Sequence, residues 1–233
     1  MIPLEDNAGD ILGKAQRGLR RPGENDPGRL GLNAAALRAI AEGTWYPKNP
    51  GPIDGLVCFN TPFHDMTVNS YVVFDPKTME AAAFDTGTDC TGMLKYRIRQ
   101  IFLTHIHGDH VLELDRLKER TGARAFVSER EPIEGAEPFP DGAEFQIGNL
   151  RVQTRRTSGH ARGGVTYVVA GLAIVGDAMF AGSMGGGLVS YEEALRTNRE
   201  NILSLPDDTV ICPGHGPLTT VGEEKLHNPF FAK

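Results

Sequence analysis

Thr104-His105-Ile106-His107-Gly108-Asp109-His110 lies in the middle of the chain and holds three of its seven histidines. The apolar run IRQIFLT that leads into it reads as a buried strand. His105 and His107, two apart on an extended chain, point to the same side and can share one metal. Gly108 permits a sharp turn, after which Asp109 and His110 project from the start of a helix, close to the first pair but aimed differently. They can serve a second metal. Zinc and its borderline relatives take three or four N/O ligands each and leave a position for water, so this window alone fills neither site.

Three later turns supply the remainder. SGHARGG places His160 in a Gly-flanked loop, AIVGDAMF places Asp177 at the end of an apolar strand, and CPGHGP places His215 in a Pro-Gly loop. Each is a polar residue delivered by the end of a buried strand, whereas a cap or a loop histidine explains any one of them singly. Together with the first window they make seven ligand-type residues, enough for two three-coordinate sites sharing a bridging carboxylate.

Outward from these turns the chain alternates strand and helix texture. LVCFN, NSYVVF, AAAFDTG, IRQIFLT and ARAFVS read as strands, with VLELDRLKERTG as an amphipathic helix closed by Gly122. EFQIGNLRVQTRR and GVTYVVAGLAIVGD read as hairpins, SYEEALRTNRENILSL as a helix with a capping box from Ser190 to Glu193, and TVICPGHG as a last strand. Strands then a helix, twice over, predict an α/β protein with two sheets face to face, helices outside, and ligands from both halves meeting at one edge. Residues 1–52 differ: a weak helical start at Ile11 to Leu19 is broken by GLRRPGENDPGRLG, a better helix follows behind Asn33, and WYPKNPGP ends it. They are expected to form a partly helical N-terminal appendage that caps the site or mediates a homodimer, ahead of a catalytic domain over 53–233.

A formal charge of −6 supplies no basic stripe for phosphates, which argues against nucleic acid and anionic membranes and for a small-molecule substrate. MIPLEDNAGD has neither a positive leader nor an apolar core, and no segment approaches the ~20 apolar residues of a membrane span, so a cytoplasmic protein is expected. Cys58, Cys90 and Cys212 are odd in number and form no CxxC pair, as reduced thiols would.

HxHxDH followed by His160, Asp177 and His215 in that order resembles the metallo-β-lactamase superfamily over about residues 55 to 230. FDTG around Asp85, GDAMFAGS, LPDDTVICPGHGP and TTVGEEKLHNPF resemble its glyoxalase II-like branch. The resemblance implies a four-layer αβ/βα sandwich. It also implies two divalent metal ions, zinc in the first instance and iron or manganese as alternatives. His105, His107 and His160 would hold one and Asp109, His110 and His215 the other, with Asp177 between them and Asp85 supporting from behind. Such a pair of cations about 3.5 Å apart brings the pKa of a bridging water towards ~7, giving a hydroxide for attack on the carbonyl of a thioester or ester, with Asp109 or Asp177 orienting it. A persulfide dioxygenase would use one iron held by two His and one carboxylate, with all seven candidates still present, a lactonase or a β-lactam hydrolase would share the whole site, and an inactive binding protein of this fold would be expected to have lost a ligand. Where the branch often shows Gly-Arg, this chain has Met184-Gly185-Gly186-Gly187. Arg162 is a candidate replacement for that charge, and His64, in TPFHDMTVN, a candidate substrate contact.

Overall fold

The computed structural model describes residues 31–233. The helical start expected at Ile11 to Leu19 and most of the Gly/Pro-rich stretch after it lie outside the described residues.

Strand β1 (Leu56–Phe63) turns at His64 and Asp65 into antiparallel β2 (Met66–Phe74), in a register that sets Phe63 against Met66. β3 (Glu80–Phe84) pairs antiparallel with β2, and β4 (Arg97–Phe102), β5 (Arg124–Ser128) and β6 (Glu137–Phe139) add in parallel. The second sheet runs β12-β11-β10-β9-β8-β7, built from β7 (Glu144–Ile147), β8 (Leu150–Arg156), β9 (Val165–Val169), β10 (Leu172–Gly176), β11 (Val210–Pro213) and β12 (Thr219–Thr220). Only β10 and β11 are parallel in it.

Period-two alternation sorts the side chains of each strand. Tyr71, Val73, Phe84, Phe102, Phe126 and Phe139 from the first sheet meet Val152, Tyr167, Ile174 and Cys212 from the second in the central layer. Val72, Ala83, Ile101 and Leu103 face outward, against Leu114 and Leu117 of a helix. On the far side Ala173, Val175 and Ile211 pack against helical residues Ala194 and Ile202. The result is a sandwich of two mixed sheets with helices on both outer faces.

Those helices are α1 (Ala34–Ala41), α2 (Gly108–Val111), α3 (Leu114–Thr121), α4 (Tyr191–Asn201) and α5 (Val221–His227). Asn33 caps α1 by accepting from Ala36 N at 2.9 Å, and Ser190 caps α4 by accepting from Glu193 N at 3.2 Å. Leu37 and Ile40 of α1 are buried in the outer layer of the second sheet, with Met179, Ile202 and Phe230. Trp45 extends that contact: its Nε1 donates to Glu223 Oε2 at 3.0 Å, and its ring stacks on His227 at 5.1 Å.

The expected continuous helix over 111–122 is broken. Glu113 N donates to the Thr86 side chain at 3.2 Å and leaves the helical ladder, so α2 is a single turn that carries Asp109 and His110 and then ends. β6, β12 and α5 carry too few residues of clear period to have been read from sequence.

Candidate metal centre

Five chain segments converge at one edge of the sandwich. β4 stops at Phe102, and the chain beyond it carries Thr104, His105 and His107. The single turn of α2 presents Asp109 and His110. The β8–β9 loop carries His160, the end of β10 delivers Asp177, and the turn after β11 delivers His215. His105, Asp109, His110 and Asp177 are buried, and His107, His160 and His215 are half-buried.

The histidine rings interlock. His105 lies 4.5 Å from His107 and 4.2 Å from His110 between centroids, and His107 lies 4.7 Å from His160. Asp177 sits among them, its carboxylate 3.3 Å from His110 Nε2 and 3.5 Å from both His160 Nε2 and His215 Nε2. Asp109 Oδ2 is 3.3 Å from His215 Nε2 and 3.6 Å from His110 Nε2. Three triads have ligand atoms within 4.8 Å of one another: His105/His107/His160, His105/His110/Asp177 and Asp109/His110/His215.

Hydrogen bonds behind the rings fix the tautomers. Asp85 Oδ1 accepts from Thr104 N at 2.7 Å, and its Oδ2 accepts from Thr104 Oγ1 and from His110 Nδ1, both at 2.8 Å. With its proton given to Asp85, the Thr104 hydroxyl accepts from His105 Nδ1 at 3.0 Å. His160 Nδ1 donates to Gly186 O at 2.9 Å and His215 Nδ1 to Thr67 O at 2.6 Å. In all four residues Nδ1 donates to an acceptor behind the ring and Nε2 faces the centre, which is how metal-ligating histidines are oriented. His107 differs, turning Nδ1 to within 3.0 Å of His160 Nε2.

The donor set fits a divalent cation. His105 Nε2 is fully buried with no hydrogen-bond partner, and His110 Nε2 and Asp177 Oδ1, fully buried and 3.3 Å apart, make no well-aligned hydrogen bond, a costly arrangement for a site meant to stay without a cation. Electrostatics in the metal-free protein point the same way. Burial holds His105 well below its ordinary pKa, and burial with the neighbouring His160 lowers His107. For His110 and His215 burial also opposes protonation, but Asp85 and Asp177 outweigh it at His110 and push it well up, while Asp109 and Asp177 raise His215 to about 10. Asp177 stays far below the carboxylate range because His110 and His215 outweigh its burial. Such crowded, opposed charges are relieved when one multivalent cation replaces the protons.

Close packing explains two glycines. A Cβ on Gly214 would lie 2.3 Å from Asp177 Oδ1 and 2.6 Å from His110 Cε1, and one on Gly185 would lie 1.9 Å from Asp177 O. The Gly-rich run that departs from the expected Gly-Arg pattern is where the backbone passes directly over two candidate ligands.

The seven candidate ligands and Asp85 thus come together. Arg162 and His64 are not joined to them: both are exposed, and the His64 ring packs on Phe63 at 4.5 Å. Sequence reasoning missed Thr104, although it opens the decisive heptapeptide, and it missed the carbonyls of Thr67 and Gly186, which no side-chain pattern reveals. Cys212 is buried in the central layer and burial raises its thiol pKa, so it is structural.

A sandwich of this kind with a His/Asp cluster at its edge defines a class of metal-binding, hydrolase-type proteins. Residues 65–215 match the metallo-beta-lactamase superfamily, and the chain belongs to it. It is 32% identical over 158 residues to the probable metallo-hydrolase YqgX of Bacillus subtilis, an alignment spanning 56% of this chain and 74% of that one. It is 28% identical over 203 residues to an uncharacterized protein of Mycobacterium leprae, covering 70% of this chain and 92% of the relative. Among solved structures, BLEG-1, a B3 metallo-beta-lactamase, superposes with a TM-score of 0.67 at 27% identity, covering 76% of this chain and all of that one.

Proposed function

We propose that this protein is a two-metal hydrolase that cleaves a thioester or ester of a small acid. His105, His107 and His160 hold one divalent cation, Asp109, His110 and His215 the second, and Asp177 lies between them. Zinc is the metal this donor set suits first, with iron and manganese as alternatives. The observation that carries the reading is the convergence of three Nε2 atoms, each oriented by a hydrogen bond at its Nδ1, on one buried carboxylate.

When bound, the metals supply an acidified water and an electrophile for the carbonyl oxygen. The protein's own groups do the remainder. Asp177, reached by three histidines, fixes the spacing of the two triads. Asp109 Oδ2 is the carboxylate oxygen beside His215 that accepts and orients the nucleophile's proton. Asp85 and Thr104 keep His110 and His105 from rotating or changing tautomer. A net charge of −6 favours a small substrate over nucleic acid. BLEG-1 carries a β-lactamase name, which makes a β-lactam the first alternative substrate to set beside a thioester.

The test is metal content by elemental analysis on protein purified without chelator, with hydrolysis of S-lactoylglutathione and of a chromogenic β-lactam followed on the same sample. Two equivalents of metal with thioester turnover supports the proposal, and β-lactam turnover alone redirects it to the alternative. One iron with oxygen uptake on a persulfide replaces it with a dioxygenase. Protein that cannot be loaded with metal overturns it.

A further inference from the structure

The segment from Asp177 to Gly186 is a strap with both ends in the metal centre. Asp177 contributes its carboxylate, and nine residues later Gly186 O accepts from His160 Nδ1. Between them the strap makes few hydrogen bonds of its own, chiefly the reciprocal pair between Phe180 and Ser183. It is held from outside. Asn198 Nδ2 donates to Ala178 O at 2.7 Å, Gly182 N donates to Glu224 Oε2 at 2.9 Å, and Asn228 Nδ2 donates to Ser183 O at 2.9 Å and to Glu224 Oε2 at 2.7 Å. Glu224 Oε1 accepts from Thr219 Oγ1 at 2.7 Å. Glu224 and Asn228 are completely buried, and among the described residues no cation is paired with Glu224.

A buried carboxylate is costly to keep unless its oxygens are hydrogen-bonded, and those of Glu224 accept from Thr219 of β12, from Asn228 at the end of α5 and from Gly182 of the strap. Through Gly182, and through Asn228 on Ser183, Glu224 ties the middle of the strap to β12 and α5. Gly182 stands at φ +67 with Ile40 and Trp45 against it, so the strap is clamped between α5 and α1, and from there Met184 and Gly185 run directly to the Gly186 carbonyl. We infer that Glu224, with Asn228, is a positioning residue for the metal centre, acting through the 177–186 strap to hold the Gly186 carbonyl on His160. This rests on the metal-site reading above and extends it to α5 and the asparagine that ends it.

The experiment compares metal affinity, by competition with a chromophoric chelator, for the whole protein and four variants. Glu224→Leu and Asn228→Ala should weaken one of two metal equivalents by about tenfold or more, the range seen when a ligand's supporting hydrogen bond is lost. Glu224→Gln, which can still accept from Gly182 and Asn228 and donate to Thr219, should stay within about twofold of the parent. Leu117→Ala, in the outer layer of the first sheet, is the control for lost stability alone. The His160 Nδ1 proton resonance should broaden or shift in Glu224→Leu and Asn228→Ala and not in Leu117→Ala. Unchanged affinity in Asn228→Ala and Glu224→Leu overturns the inference, as does an equal loss in Leu117→Ala. If Glu224→Leu does not fold, Asn228→Ala against Leu117→Ala decides alone. A parent protein that binds no metal sinks the underlying reading instead.

Discussion

The Thr104 hydroxyl has one proton and two neighbours that want it. The carboxylate of Asp85 accepts it at 2.8 Å, which leaves the oxygen to receive the His105 Nδ1 proton. The same Asp85 oxygen takes the His110 Nδ1 proton, so one carboxylate sets the tautomers of ligands belonging to different triads. Asp85→Asn offers the site a side chain that cannot accept at both positions, and metal affinity should fall by about 10–100-fold while the fold persists. Thr104→Val is nearly isosteric and removes the hydroxyl's bonds to His105 and to Asp85, while Thr104 N and His110 still hold Asp85, so about a tenfold loss confined to one equivalent is expected. Competition titration with a chelator reads both. Loss of both equivalents in Thr104→Val, or of neither in Asp85→Asn, would show that the tautomer relay does not control loading.

At the scale of elements, α1 behaves as part of the second sheet's outer layer, because Leu37 and Ile40 share a cluster with Val175, Met179, Ile202 and Phe230. Ile40→Ala should therefore cost about 2–4 kcal/mol and lower the single cooperative urea transition. An unchanged transition preceded by a small separate one would instead mark α1 as an independent appendage. Most strands were legible because a buried strand end bearing a lone polar residue is conspicuous: AIVGD and TVICPGH announce both their element and their ligand. Breaks were not legible where a distant partner causes them. The interruption of 111–122 at Glu113 depends on Thr86, and the end of the strand at Phe102 depends on Thr104 N turning to Asp85 Oδ1 at 2.7 Å. Likewise His160 was legible as a candidate ligand, but the carbonyl that orients it lies 26 residues away, across a glycine run whose spacing suggested only a missing charge.

For the molecule as a whole, removing metal should destabilise the fold, since a cation held by these triads would satisfy buried groups contributed by both sheets. Chelation should lower Tm and re-addition of zinc should restore it, and a chelated protein with unchanged Tm would argue against a site that links the halves. A second global dependence is built into α5. Burial raises the Glu224 carboxyl from 4.5 to about 7, against hydrogen bonds from Thr219, Asn228 and Gly182 that lower it, while the nearby Glu223 adds to the rise. Glu223 is itself engaged by Trp45 and Lys48. Between about pH 4.5 and 7 the native state then holds a proton that the unfolded chain has released. Stability from this group is therefore lost as pH rises through that window, at up to about 1.4 kcal/mol per pH unit, and is constant above it. Glu224→Gln removes the titration and keeps the hydrogen bonds. The stability difference between variant and parent, from urea unfolding at matched metal content, should grow in the variant's favour from pH 5 to 7 and then level off. A difference that is flat across the window would mean that Glu224 ionises at its ordinary pKa in the folded protein, and that its complete burial does not govern its titration.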